Sequence, residues 1–274
     1  MSGNTELGRI VFLGAGNMAE ALVSGLVKGG VCAAKDVSAT DVRGERLEYF
    51  QKQFGVAGSS DNKAAVSSAN IIVLAVKPQV MGEVLDGVAG AVPKDALIVS
   101  IAAGIKCEFI EGKLGEGTRV VRVMPNTPAL VLAGVAALCA GKWAGDADLE
   151  AAARIMGSVG AVVRVEEPDM DAVTAVSGSG PAYVFYLIEA MMKAAGELGL
   201  NASVARELVC STVSGAAKLI VETGADAADL RQRVTSKGGT TAAALEVMNS
   251  RGVSGAIIEA IHAAQKRSKE LSGS

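Results

Sequence analysis

Two glycine-rich segments carry residue types that suit the binding of anions. The first follows the apolar run IVFL at residues 10–13 and reads Gly14-Ala15-Gly16, with helical spacing from Ala19 onward. Strand, G-x-G-x-x-A turn and helix in this order form the dinucleotide fingerprint, in which a helix N-terminus receives a pyrophosphate. We therefore predict a dinucleotide-binding turn at Gly14, Gly16 and Ala19.

An acidic residue ends the next predicted strand. Asp41 stands about 20 residues after Ala19, where a carboxylate usually binds the ribose 2′-hydroxyl of NAD. Arg43 and Arg46 follow closely, and either guanidinium could instead bind the 2′-phosphate of NADP. An ordinary turn at Asp41, with the arginines on a solvated helix face, is equally compatible. The residues leave the choice of cofactor open.

The second glycine-rich segment, VTSKGGTTAAAL, occupies residues 234–245. Gly238, Gly239, Thr240 and Thr241 directly precede a helical pattern and could present backbone N–H groups and two hydroxyls to one carboxylate. The alternative is a plain helix–helix connection with a threonine cap.

Side chains that could protonate an alkoxide are scarce. His262 is the single histidine, and its apolar helical surroundings favour a packing or surface position. Ketone reduction usually needs such a proton donor, whereas a protonated imine already carries its proton. The composition therefore suits hydride transfer to a C=N bond, which needs mainly geometry, a carboxylate anchor and a dry pocket.

The apolar runs that must position these segments predict a doubly wound sheet. Further runs of apolar, largely β-branched residues occur at 71–76, 97–101, 120–124, 135–139 and 162–165. Runs without polar alternation are typical of parallel strands covered on both faces. Ligands bind beyond the carboxyl ends of such strands. The residues after three runs are therefore candidates for a lined cleft: Lys77-Pro78, Ala102-Ala103-Gly104 and Pro125-Asn126-Thr127-Pro128.

The strand pattern ends near Pro168, and the rest of the chain is helical. Residues 177–200 are apolar on nearly every face, which favours burial by other helices and by a second subunit. Further helices are predicted at about 203–222, 226–233, 241–249 and 254–271. We therefore predict a Rossmann-like dinucleotide-binding domain at residues 1–167 and an all-helical substrate-binding and dimerisation domain at residues 168–274.

Charge and cysteine spacing argue against other classes. A formal net charge of −3 leaves no basic surplus for nucleic acid. The longest uncharged stretch, residues 123–141, contains prolines and an asparagine that a membrane span would not tolerate. The N-terminus lacks a secretory pattern, which predicts a cytoplasmic protein. Reduced, buried thiols and no metal site are expected because no CxxC pair occurs among Cys32, Cys107, Cys139 and Cys210.

Six segments together resemble the pyrroline-5-carboxylate reductases, which complete proline biosynthesis. They are FLGAGNMAEAL, LAVKPQ, VSIAAGI, VRVMPNTPAL, AVSGSGPAYVF and VTSKGGTT, in order over nearly the whole chain. MPNTP, SGSGPAY and GGTT are far more specific to that family than the glycine turn. The resemblance implies NADPH or NADH, 1-pyrroline-5-carboxylate as substrate, and homodimers that associate further.

The resemblance also implies residue roles. The implied cofactor-binding residues are Gly14, Ala15, Gly16, Asn17, Met18, Ala19, Thr40, Asp41, Arg43, Asn62, Val76, Lys77, Pro78, Ala102, Ala103 and Asn126. The implied substrate-binding residues are Glu167, Ser236, Gly238, Gly239, Thr240 and Thr241. Among them, the Thr241 hydroxyl is the catalytic candidate nearest the ring nitrogen. Lys237 departs from the proline of many relatives, and Asp41 departs from the hydroxyl or amide that would favour NADPH.

Two other functions fit a Rossmann domain joined to a helical domain. A β-hydroxyacid dehydrogenase would place an asparagine about one turn after a helix lysine, but Lys193 is followed by Ala194, Ala195 and Gly196. A non-enzymatic NAD(P)H-sensing dimer would not need a carboxylate-binding GGTT segment. Reduction of the cyclic imine is the function that uses all of these features.

Overall fold

The structure, a computed structural model, describes residues 7–273. Its sheet contains eight strands. They are β1 (Ile10–Leu13), β2 (Val37–Thr40), β3 (Ala57–Ser59), β4 (Ile71–Leu74), β5 (Leu97–Ser100), β6 (Arg119–Met124), β7 (Gly134–Ala140) and β8 (Gly160–Arg164). The strand order is β3-β2-β1-β4-β5-β6-β7-β8.

Helices alternate with the strands and then continue alone. They are α1 (Asn17–Lys28), α2 (Gly44–Phe54), α3 (Asn62–Val66), α4 (Met81–Val88), α5 (Cys107–Leu114), α6 (Asp146–Gly157), α7 (Met170–Val173), α8 (Gly180–Glu197), α9 (Ala202–Thr223), α10 (Ala227–Arg233), α11 (Thr240–Ser250) and α12 (Val253–Ser272). Within the described part of the chain, no helix combines the length and apolarity needed to cross a lipid bilayer.

The strand order changes direction at β1, which pairs in parallel with both β2 and β4. Leu13 is in register with Thr40 on one side and with Leu74 on the other. The carboxyl ends of these three strands therefore meet at one edge, where doubly wound sheets bind ligands. β5 and β6 continue the parallel order, so the predicted doubly wound sheet is confirmed.

The far end of the sheet differs from the expected parallel arrangement. β7 pairs antiparallel with β6, and β8 pairs in parallel with β7. Only a short connection containing a 3₁₀ turn at Thr127–Val131 joins β6 to β7, which is too short for a parallel crossover. The apolar pattern missed this because a run buried on both faces does not encode strand direction. The pattern also missed β3, whose sequence is only AGS.

The core lies on both faces of the sheet. All four residues of β1 are fully buried. Ile10 and Phe12 belong to the apolar cluster that includes α1 and α2 residues, whereas Val11 and Leu13 belong to the cluster with α4 and α5 residues. This two-sided burial explains why β1 shows no polar alternation.

The described chain forms two compact units, one ending at Ser179 and resuming at Ala264, the other comprising Gly180–Ala263. In the second unit, all of whose residues are described, the only buried apolar side chains are Ala195, Ala205 and Val209. Most of its large apolar side chains are exposed. An apolar surface formed by so many exposed side chains marks an interaction surface. The functional division into residues 1–167 and 168–274 stays a prediction.

Candidate active site

Gly14 is required by the fold of the turn that follows β1. Its φ is +101°, and a Cβ there would lie 2.6 Å from the backbone oxygen of Ala75. The Gly14 N–H donates to the carbonyl of Thr40 at 2.8 Å. Only glycine fits a position with positive φ and backbone this close.

Gly16 is not required by the fold. Its φ is −77°, and a Cβ there would meet no other described atom within 4 Å. Gly16 also caps α1 without any side-chain hydrogen bond from the described residues. Open space at Gly16 thus adjoins free amides at a helix N-terminus, an arrangement that suits the binding of a pyrophosphate. The residues present fit a dinucleotide.

The residues beside the two glycines of the turn differ in their burial. Ala15 and Ala19 are buried in the α1 side of the core, which allows α1 to pack closely against the sheet. Met18 is half-buried, and Asn17 is exposed at the first helical position.

A cleft of about 690 Å³ opens where β1, β2 and β4 end. It brings together five of the predicted cofactor residues. The lining consists of Gly14, Thr40, Asp41, Val42, Ser60, Asp61, Asn62, Lys63, Val76, Val80, Glu83, Val84 and Gly87. Its position at the change of strand order is that of a nucleotide site in doubly wound folds.

The other strand exits show different degrees of exposure. Lys77 is exposed and Pro78 half-buried at the start of a 3₁₀ turn after β4. After β5, Ala103 is exposed, whereas Ala102 is buried among apolar side chains of the core. The Ala102 side chain therefore has a packing role.

The Asp41 carboxylate accepts four hydrogen bonds. One comes from Ala15 N–H at 3.0 Å, and three come from Arg43, through its backbone N at 2.9 Å, Nε at 3.0 Å and a terminal nitrogen at 3.1 Å. Partial burial would raise the pKa of Asp41, but the bonds from Arg43 and Ala15 outweigh it and lower the pKa to about 2. Asp41 is therefore charged at neutral pH.

The two arginines of this region have different partners. Arg43 pairs with Asp41 and is half-exposed. Arg46 donates instead to the Ala15 carbonyl and to Glu20. Spacing from Asp41 does not distinguish the two arginines, so the sequence predicts either of them as a ligand of the 2′-phosphate.

The Asn126 amide joins three segments of the first unit. Its Oδ1 accepts a hydrogen bond from Val135 N–H at 2.9 Å, and its Nδ2 donates to the Ser177 carbonyl at 3.2 Å. Ser177 lies in a turn of π-helix at Thr174–Gly178. Both ends of the amide are thus used to hold the loop after β6, and its position near the nicotinamide stays a prediction.

Glu167 is the half-buried member of an ionic cluster whose other members are buried. Its Oε1 accepts from Arg122 at 2.5 Å, and its Oε2 accepts from Cys139 Sγ at 3.4 Å. The Arg122 side chain is only 4% exposed. Cys107 completes the group, with ligand-type atoms of Cys107, Cys139 and Glu167 all within 4.8 Å of one another. The sequence does not predict this cluster, because its members are far apart along the chain and follow no motif spacing.

The cluster holds a neutral thiol beside an ionised acid. Hydrogen bonding with Cys139 and burial raise the pKa of Cys107 well above its ordinary value. Burial would raise the pKa of Glu167, but hydrogen bonds from Cys107, Arg122 and Cys139 lower it below 4.5. Cys107 and Cys139 are buried as expected, Cys32 is half-buried, and Cys210 is exposed, contrary to the expectation for all four thiols.

Glu167→Gln is expected to lower the free energy of unfolding by about 3 kcal/mol, because it leaves the buried Arg122 without a counter-charge. Since the folded-state pKa of Glu167 is depressed, its stabilisation is present above the unfolded pKa near 4.5 and is lost as pH falls through the folded value. Urea unfolding of wild type and variant at pH 7 and pH 4 measures both effects.

The matched control is Arg164→Gln, which breaks exposed pairs with Asp146 and Glu150 and should cost less than about 1 kcal/mol. Unchanged stability of Glu167→Gln together with impaired substrate binding would favour the substrate role that the family resemblance implies.

The segment between α10 and α11, in the helical unit, forms a second turn of the kind that can bind an anion. Gly238 has φ +72°, and the N–H of Gly239 donates to the Ser236 carbonyl at 3.0 Å. Gly239 then caps α11, and no side chain of the described residues caps this helix. The amides of the first turn, at Thr240 and Thr241, are therefore available for an acceptor.

The side chains of this turn are accessible. Thr241 is half-buried, whereas Ser236, Lys237, Gly238 and Thr240 are exposed. The predicted helix start near Thr241 agrees with α11 to within one residue. A turn with a left-handed glycine, free amides and two hydroxyls can bind a carboxylate, and its role in this chain stays a prediction.

Fold and turn geometry together define a class. A doubly wound sheet with a G-x-G-x-x-A turn, followed by a helical unit, is the architecture of dinucleotide-dependent oxidoreductases. Residues 9–104 match the family described as NADP oxidoreductase, coenzyme F420-dependent. Residues 167–271 match the pyrroline-5-carboxylate reductase dimerisation family.

Full-length relatives identify the family. The chain is 43% identical to a pyrroline-5-carboxylate reductase of Pseudomonas aeruginosa, over 96% of each chain. It superposes on the Coxiella burnetii enzyme with TM-score 0.91 at 38% identity, covering 97% of this chain and 99% of the other. The Plasmodium falciparum enzyme with NADP bound gives 0.88 at 29% identity, with the same coverage. This chain belongs to the pyrroline-5-carboxylate reductase family.

Proposed function

We propose that the protein reduces 1-pyrroline-5-carboxylate to L-proline with NADPH or NADH, the last step of proline biosynthesis. The observation that carries this proposal is the full-length match to reductases named for that substrate. The free amides before α11 give the substrate carboxylate a place to bind. The β-hydroxyacid dehydrogenase and the NAD(P)H sensor lack comparable support.

The first unit binds the cofactor in this proposal. The amides from Gly16 to Met18 bind the pyrophosphate, and Asp41, Arg43 and Asn62 bind the adenosine end. Further along, the exits of β4, β5 and β6 provide Val76, Lys77, Pro78, Ala102, Ala103 and Asn126. When bound, the reduced nicotinamide supplies the hydride.

The helical unit binds the substrate. The carboxylate lies against Ser236, Gly238, Gly239, Thr240 and Thr241 and accepts hydrogen bonds from the free amides of Thr240 and Thr241 and from the nearby hydroxyls, aided by the positive end of the α11 dipole. The protonated ring nitrogen donates a hydrogen bond to the Thr241 hydroxyl oxygen, which orients the C=N bond. Hydride addition to the carbon of a protonated imine leaves a neutral amine, so no residue has to donate a proton. A role for Glu167 would be indirect, because Arg122 and Cys139 occupy its oxygens.

Asp41→Ser is expected to raise the NADPH/NADH ratio of kcat/KM by about tenfold, because it removes a carboxylate that repels a 2′-phosphate and releases Arg43 to bind it. Steady-state kinetics with each cofactor measure the ratio. Asp86→Ser is the control, since Asp86 pairs with Lys113 outside the cleft. A ratio that stays at the wild-type value would show that Asp41 does not face the 2′ position.

The direct assay of function follows NADPH and NADH absorbance after addition of 1-pyrroline-5-carboxylate. We expect oxidation of the cofactor and formation of proline, and no oxidation with 2-keto or 3-keto acids as alternative substrates. Oxidation with a keto acid but not with the cyclic imine would overturn the proposal.

The family match assigns residues 167–271 to dimerisation, which agrees with the exposed apolar helices of the second unit. Further association of dimers and a cytoplasmic location remain proposals. Size-exclusion chromatography with light scattering gives the assembly directly.

A further inference from the structure

The central residue of the glycine turn is held from two sides by side chains. Arg46 Nε, from α2, donates to the Ala15 carbonyl at 2.8 Å. The Ala15 N–H donates to Asp41, which follows β2, at 3.0 Å. Because both backbone groups of this fully buried residue are bonded, the direction of the peptide groups that follow is determined.

The same guanidinium neutralises an acid at the start of α1. A terminal nitrogen of Arg46 donates to Glu20 at 2.7 Å, and Tyr49 Oη donates to the other Glu20 oxygen at 2.8 Å. An acid in the first turn stabilises a helix. Its charge would nevertheless repel a phosphate bound at the same helix end, and Arg46 compensates that charge.

Aromatic rings of α2 fix the position of Arg46. Its Cζ lies 4.9 Å from the ring centroid of Tyr49 and 5.5 Å from that of Phe50. The Arg46 side chain is 19% exposed. Cation–π contacts with two rings and hydrogen bonds to two acceptors leave the guanidinium little freedom to reorient.

We propose that Arg46 is a positioning residue for the cofactor: it orients the glycine turn through Ala15 and neutralises Glu20, so that the amides at the start of α1 bind the pyrophosphate. This inference rests on the proposed dinucleotide chemistry. Since NADH and NADPH share the pyrophosphate, Arg46 acts on both cofactors to the same extent.

The test is the affinity of Arg46→Gln for NADPH and for NADH, measured by nucleotide fluorescence in the absence of substrate. Both dissociation constants are expected to rise about tenfold, as for the loss of one charge-assisted hydrogen bond. With saturating cofactor, kcat and the KM for the imine should stay within about twofold. Lys52→Gln, at an exposed position of the same helix, is the control and should bind both cofactors like wild type.

Two further variants separate the parts of the mechanism. Arg46→Lys keeps the charge beside Glu20 but loses the fork that reaches two acceptors, so its affinity should lie between those of wild type and Arg46→Gln. Adding Glu20→Gln to Arg46→Gln removes the uncompensated charge, so the double variant should bind both cofactors about threefold more tightly than Arg46→Gln.

Wild-type affinity of Arg46→Gln for both cofactors would overturn the proposal. A loss confined to NADPH would also overturn it, because that result places the guanidinium at the 2′-phosphate. A lowered unfolding midpoint with unchanged cofactor affinity would assign Arg46 a purely structural role. Failure of the proposed function is distinguishable, because wild type would then not oxidise NADPH or NADH with 1-pyrroline-5-carboxylate, whereas the effect of Arg46→Gln on nucleotide binding is measured without substrate.

Discussion

Gly16→Val is expected to weaken NADPH binding by at least about 100-fold while leaving the fold intact. A Cβ at Gly16 meets no described atom within 4 Å, and its φ of −77° is open to any residue. The valine methyl groups would instead occupy the space over the amides of α1 that the pyrophosphate needs. Fluorescence titration with NADPH measures affinity, and urea unfolding measures stability.

The control is Gly90→Val, because a Cβ at Gly90 also meets no described atom within 4 Å and this residue does not line the cleft. Its NADPH affinity should match that of wild type. Undiminished NADPH binding by Gly16→Val would place the pyrophosphate elsewhere. Gly14→Val cannot replace this experiment, because its clash with Ala75 would disturb the turn itself.

Phe185→Glu is expected to convert the dimer to monomers at micromolar concentration and to abolish activity. Phe185 is 56% exposed on α8, between the exposed side chains of Val184 and Tyr186. In a unit with only three buried apolar side chains, stability has to come from a partner that covers this surface. A charge buried in such an interface costs about 3 kcal/mol, which raises the dimer dissociation constant roughly 100-fold. Sedimentation equilibrium measures that constant.

The matched control is Phe109→Glu, a similarly exposed phenylalanine on α5 in the first unit. This variant should remain dimeric with wild-type kinetics. Dimers of unchanged affinity in Phe185→Glu would show that α8 does not form the subunit interface.

Local signals in the sequence were sufficient for much of the fold. The limits of β1 agree with the apolar run at residues 10–13, since two-sided burial selects apolar residues at every position. The start of α11 also followed from local chemistry, because two glycines and two threonines form a helix start that needs no tertiary information. Both segments are the parts of the chain on which the proposed chemistry depends.

Long-range partners could not be predicted in the same way. Arg43 and Arg46 are equivalent in spacing, yet one pairs with Asp41 and the other with the Ala15 carbonyl and Glu20. The family resemblance implies a substrate-binding role for Glu167, whereas the structure shows hydrogen bonds from Arg122 and Cys139 to its two oxygens. Such choices depend on side-chain packing in three dimensions, which residue periodicity does not encode.

The central claim is that the turn before α11 binds the substrate carboxylate, and a truncated substrate tests it most directly. Gly239→Val places a Cβ 2.5 Å from Ser236 Oγ and 3.2 Å from the Ser236 carbonyl oxygen, so it reorients the Ser236 hydroxyl and crowds the turn that precedes the free amides. The measurement is kcat/KM of wild type and variant for 1-pyrroline-5-carboxylate and for 1-pyrroline, which has no carboxylate. We predict a loss of about 100-fold for the carboxylated substrate and less than about threefold for 1-pyrroline. An equal loss for both substrates would contradict the claim.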